Sequence, residues 1–105
     1  MRIAIPSEGN TIDAQIDKRF GRCAFFAIYD TETQIIEFFA NQAKDASEGA
    51  GPAAVKYLAS KRINRIVAAE VGGKVKPLFE KLQMEIVNEN DKAISEIIEN
   101  LKKQF

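Results

Sequence analysis

Cys23-Ala-Phe-Phe-Ala-Ile-Tyr-Asp-Thr-Glu-Thr-Gln-Ile-Ile-Glu-Phe-Phe-Ala40 is the part of the chain from which the topology can be read. Two runs rich in β-branched and aromatic residues, Cys23–Tyr29 and Gln34–Ala40, flank the polar connection Asp30-Thr31-Glu32-Thr33, which predicts an antiparallel hairpin. Upstream, Arg2–Ile5 is a short apolar strand that Pro6 is expected to stop, and a long irregular segment, Ser7–Arg22, leads into the hairpin. Downstream the pattern changes to helical spacing. Pro52 suits the first turn of a helix over Pro52–Lys61, whose buried stripe is Ala54, Val55 and Leu58. Arg65–Ala69 predicts a fourth strand. A helix from Gly72-Gly73 to about Gln83 should bury Val75, Leu78, Phe79 and Leu82, with Pro77 in its first turn. Met84–Val87 predicts a fifth strand, and Asp91 an N-cap for a last helix with the stripe Ile94, Ile97, Ile98 and Leu101.

The element order is β-β-β-α-β-α-β-α. Its second half requires parallel strands joined by right-handed crossovers. A mixed five-strand sheet in the order 3-2-1-4-5, with strand 2 antiparallel to the rest and helices on both faces, satisfies hairpin and crossovers together. The expected class is α/β. In that arrangement the segments Ser7–Arg22, Asn41–Gly51 and Glu70–Gly73 meet at one end of the sheet, where open α/β sheets bind ligands. Strand 3 falls at an edge while carrying Ile35, Ile36, Phe38 and Phe39, so a loop or a partner chain is expected over it.

Composition narrows the function classes. The chain has 105 residues, matching one domain over 1–105, and its 15 basic and 15 acidic side chains give a formal net charge of zero. Zero net charge argues against a nucleic-acid partner, whose binding would rest on clustered Lys and Arg. One cysteine and no histidine exclude an intrachain disulfide, a His-based triad and a His metal site. No run approaches the ~20 apolar residues of a membrane span, and Met1–Glu8 lacks the apolar core of a signal peptide. A cytoplasmic protein with no membrane partner is expected.

The densest chemical candidate is Asp17-Lys18-Arg19-Phe20-Gly21-Arg22-Cys23. Arg19 and Arg22 offer planar donor forks to an anion. Their field would lower the pKa of a Cys23 thiol reachable at the strand entry, making Cys23 the metal-ligating candidate. The plainer alternative is a buried, inert cysteine beside surface arginines. Gly49-Ala50-Gly51 and Gly72-Gly73 each precede a helix and could turn backbone N–H groups toward the same anion. No carboxylate set suggests a catalytic pair, and no catalytic residue is assigned.

These residues resemble the dinitrogenase iron–molybdenum cofactor biosynthesis family. The resemblance rests on Met-Arg-Ile-Ala-Ile-Pro at the start, Ile12-Asp13, Arg19-Phe20-Gly21-Arg22-Cys23, Phe26, Asp30, Asn41, Gly49-Ala50-Gly51 and Gly72-Gly73, and covers nearly the whole chain. It implies a ribonuclease-H-like fold in three α/β/α layers and a non-catalytic accessory protein that binds iron–sulfur or iron–molybdenum cofactor precursors. It adds Asn41 to the binding set of Arg19, Phe20, Gly21, Arg22, Cys23, Gly49, Gly51, Gly72 and Gly73. Many members carry His where this chain has Arg19, which removes an imidazole ligand. Three function classes remain open from the residues: a metallocluster carrier, an enzyme or sensor for a phosphorylated small molecule, and an interaction module, with strand 3 as the surface for a protein partner or a homodimer.

Overall fold

The computed structural model describes residues 1–104. The strands are β1 (Arg2–Ser7), β2 (Phe25–Asp30), β3 (Ile36–Ala40), β4 (Arg65–Ala68) and β5 (Glu85–Asn88), and the helices α1 (Ala50–Ser60), α2 (Lys76–Lys81) and α3 (Ile94–Lys102). They form one sheet in the order β3-β2-β1-β4-β5. β2 is antiparallel to β1 and β3, and β1, β4 and β5 run parallel, which is the mixed ribonuclease-H-like sheet expected from the hairpin and the crossovers. No helix of the described residues is long and apolar enough to cross a membrane.

Alternation along the central strands feeds a separate core on each face. Ala4, Phe26, Ile28 and Ile66 point to one side and pack with Ala54, Val55 and Leu58 of α1 and with Val75 and Phe79 at α2. Ile3, Ile5, Ala27, Tyr29 and Val67 point to the other and pack with Ile94, Ile97, Ile98 and Leu101 of α3.

Three local expectations are corrected. β1 does not stop at Pro6 but continues through Ser7, with Pro6 opposite Phe26. Thr31 N–H donates to Met1 O, so the odd residues of β1 exchange hydrogen bonds with β2 and Pro6 faces the β4 side. The β1–β4 register ends at Ala4↔Ile66, so the missing N–H of Pro6 breaks no ladder bond, and its carbonyl accepts from Asp17 N–H at 2.9 Å. Asp91 does not cap α3. It sits in the left-handed region at φ 53°, and the cap position is Ala93 with no side-chain bond. Backbone takes over that role: Ile94 N–H donates to Ala14 O and Ser95 N–H to Ile12 O, both at 2.8 Å. The segment after β1 therefore holds the start of α3. Finally, α2 is a short helix that buries Phe79, while Leu82 beyond its end is 47% exposed.

Phe79 is fully buried and meets the edge of Phe20 at a centroid distance of 5.2 Å, tying α2 to the segment after β1. Truncating it removes a large core ring and leaves a cavity. Phe79→Ala is expected to lower unfolding free energy by about 3–5 kcal/mol, read from the urea midpoint at constant slope.

Candidate functional site

The segments that follow β1 and β4, together with the start of α1, enclose an open cleft of about 760 Å³, lined by residues from 18–22, 48–52 and 70–75. This is the expected convergence of the three segments. Glycine makes the approach close enough. A Cβ on Gly21 would lie 2.8 Å from Gly51 N and 2.9 Å from Gly51 Cα, and a Cβ on Gly51 would lie 2.8 Å from Val75 Cγ1. At Gly21 the obstacle is backbone, which leaves no room for a side chain, whereas at Gly51 it is one Val75 methyl, which would have to move aside. Gly49 is required for another reason: it caps α1 at φ 73°. Gly72 and Gly73 differ from all three, because a Cβ there would meet nothing within 4 Å and neither residue has a positive φ.

The rim is cationic although the chain is neutral. Lys18, Arg19, Arg22 and Lys74 line the cleft against Glu48 and Glu70. Lys18 lies in the heptapeptide singled out from the sequence but has no role assigned to it there, and Lys74 escaped that reading, although it directly follows the Gly72-Gly73 pair. The amides of Ala50 and Gly51 open α1 and have no acceptor within that helix, and its first turn carries no acidic residue.

Arg19 and Arg22 reach the cleft already engaged. Arg19 donates from Nε and Nη2 to the two carboxylate oxygens of Asp17 at 3.3 Å each, and its amide donates to Asp17 Oδ1 at 2.9 Å. Asp17 is 3% exposed, whereas the Arg19 side chain is 65% exposed. The hydrogen bond and then the charge of Asp17 hold the guanidinium above its ordinary pKa. Arg22 donates from Nη1 to Lys44 O at 3.1 Å and Ala46 O at 2.7 Å, bracing the segment before α1. Each fork keeps further N–H donors for a ligand.

Cys23 is corrected in both respects. The thiol is fully buried, does not line the cleft, and belongs to the core on the α1 side. Its pKa is pushed up, not down, to about 12, first by burial and then by the charge of Asp17. Asp17 explains why the arginines do not lower it. The carboxylate takes up the Arg19 charge and presents a negative group to the sulfur. Asn41 also lies behind the cleft: its Nδ2 donates to Gly21 O and Cys23 O at 3.0 Å each, and its Oδ1 accepts from Ala43 N–H at 3.1 Å. It braces the loop from beneath and lines a second recess of about 280 Å³ beside Tyr57. Phe20 sits at the cleft floor but is 5% exposed, its ring packed against Phe26 and Phe79.

Three measurements check this geometry. Gly21→Ala should cost about 1–3 kcal/mol of stability by forcing backbones apart, whereas Gly72→Ala should change stability by less than about 0.5 kcal/mol. An acid whose pKa is raised on folding binds more protons folded than unfolded, so stability falls as pH rises between its unfolded and folded values. Cys23 should therefore add a decline of up to about 1.4 kcal/mol per pH unit above its ordinary pKa and toward pH 12. That decline is absent from Cys23→Ala, and a thiol reagent at pH 8 should label the native protein only after unfolding.

Comparison with known proteins agrees with this fold. The apo form of the orange protein from Desulfovibrio gigas superposes with a TM-score of 0.90 at 26% identity, covering 98% of this chain and 88% of that one. The NMR structure of a NifB-like protein from Thermotoga gives a TM-score of 0.84 at 30% identity, covering 97% of this chain and 87% of that one. An uncharacterized protein of Methanocaldococcus jannaschii is 29% identical over 101 residues, 93% of this chain and 82% of the relative. With residues 1–104 matching the family model, the chain belongs to the dinitrogenase iron-molybdenum cofactor family.

Proposed function

We propose that this chain is a non-catalytic carrier that takes up an anionic metal–sulfur cluster, or a precursor of one, in the cleft at the C-terminal end of the sheet. The observation that carries the reading is the combination of a cationic rim with two glycines that the chain's own packing does not require. Gly72 and Gly73 leave open the volume a side chain would fill, so a ligand can approach their backbone. Lys18, Lys74 and the remaining donors of Arg19 and Arg22 supply charge, and the amides of Ala50 and Gly51 supply hydrogen bonds at the positive end of α1.

Ligation differs from that of an ordinary iron–sulfur protein. With Cys23 enclosed and no histidine in the chain, the cleft offers no soft side-chain ligand. A cluster held here keeps its own terminal sulfides, and the protein contributes charge, N–H donors and a shaped wall. Release to an acceptor then breaks no metal–protein bond, which suits a carrier.

The test is anaerobic incubation with ferrous iron and sulfide, with and without tetrathiomolybdate, followed by desalting. Visible charge-transfer absorbance should travel with the protein. It should persist in Cys23→Ala, and Lys74→Glu should weaken uptake by about 10- to 100-fold through loss and reversal of a charge-assisted contact. Loss of colour in Cys23→Ala would place the thiol at the metal and overturn the non-covalent reading. Thermal stabilisation by inorganic phosphate without any chromophore would assign the cleft to a phosphorylated small molecule instead.

A further inference from the structure

β3 is an edge strand whose outer side is bare. Asn41 N–H donates to Ala24 O and Asp30 N–H to Ile35 O, so the odd positions of β3 exchange hydrogen bonds with β2. The N–H and C=O groups of Ile36, Phe38 and Ala40 therefore point outward, and none has a hydrogen-bond partner among the described residues. Edge strands are usually protected by lysine, proline, a bulge or a covering loop. The run 35–40 contains no lysine, proline or glycine, and its register with β2 is unbroken. Ile35 is 56% exposed, and Ile36 and Phe38 are half-buried on the α3 side. The opposite edge is less open: β5 is four residues long, with Glu85 bonded to Arg65 at 2.7 Å and Asn88 Nδ2 directed to Ala69 O at 3.5 Å.

We propose that β3 pairs antiparallel with β3 of a second copy of this chain, about a twofold axis at Phe38, making one sheet continuous through both protomers. The outward groups of Ile36, Phe38 and Ala40 are symmetric about Phe38, so the strand is complementary to itself in this register. Phe38 exchanges bonds with its counterpart, and Ile36 faces Ala40 on either side. Charge selects this register over its neighbour. An axis at Glu37 would set two carboxylates opposite each other on one face, which is destabilising. The axis at Phe38 instead sets each Glu37 opposite the other copy's Phe39, on the α1 face, where Lys61 Nζ stands 4.3 Å from the Phe39 ring centroid. Among the described residues Lys61 has no carboxylate within salt-bridge distance, so the second copy supplies the one it lacks. Two such pairs form per dimer. Glu37 is exposed, and neither it nor Lys61 lines the cleft.

Sedimentation velocity over a wide concentration range tests the pairing, with folding of each variant checked by far-UV circular dichroism. The wild-type chain should sediment as a dimer that dissociates on dilution. Glu37→Lys and Lys61→Glu should each raise the dimer dissociation constant by about tenfold, since each turns attraction into repulsion at both symmetric contacts. Combining the two reversals should restore the wild-type constant. A monomer at every concentration overturns the proposal. Single reversals without effect, or a double variant that stays as weak as its parents, overturn it equally, since the register would then be wrong.

Discussion

Gly21 lies with its backbone against Ala50 and Gly51, at distances where any side chain would collide, and Gly51 lies in turn against the Val75 side chain. Three segments from distant parts of the chain become one wall through these contacts. The sheet supplies the precondition. Because β2 runs antiparallel to β1, the segment after β1 leaves and returns at one end, and the parallel β1–β4 pair delivers the 69–75 segment to the same end. Phe20 then fixes the loop in the core through Phe26 and Phe79, and Asn41 holds the Gly21 and Cys23 carbonyls from below. The cleft is thus shaped before any ligand arrives, so little ordering entropy opposes binding.

A buried carboxylate organises the charges around that wall. Asp17 engages Arg19 and raises the Cys23 thiol at the same time, separating two groups that look like partners in the sequence. Burial alone disfavours the thiolate, and a neighbouring negative charge disfavours it further. The result is a cleft rimmed by cations and helix-opening amides, with the single thiol of the chain held neutral in the core behind it. Exchange of an intact anion is easier in such a site than in one built on thiolate bonds.

Topology was legible in the sequence because few physical rules constrain it. The polar connection at Asp30–Thr33 forced an antiparallel pair, and the later helical stripes forced parallel crossovers. Local detail depended on tertiary partners that no local pattern encodes. Asp91 has the chemistry of a cap, but the carbonyls of Ile12 and Ala14 already occupy the start of α3. Pro6 reads as a strand stop, but it sits where the β1–β4 ladder has already ended. Within the site, the loops and glycines were readable from chain order, whereas the fate of Cys23 turned on Asp17, a residue four positions from Asp13 in an irregular loop with no periodicity to betray its burial. Lys74 was missed because a lone lysine after a glycine pair has no pattern of its own.

In the proposed carrier, backbone amides and cations at the three-segment wall receive the anion while the thiol stays out of reach. The most direct measurement is a titration of isotope-labelled protein with tetrathiomolybdate, followed by amide and side-chain chemical shifts. The largest changes should fall on the amides of Ala50, Gly51, Gly72 and Gly73, with the Cβ resonance of Cys23 unmoved. A shift of the Cys23 Cβ into the metal-bound range, with those four amides unchanged, would contradict this placement of the anion.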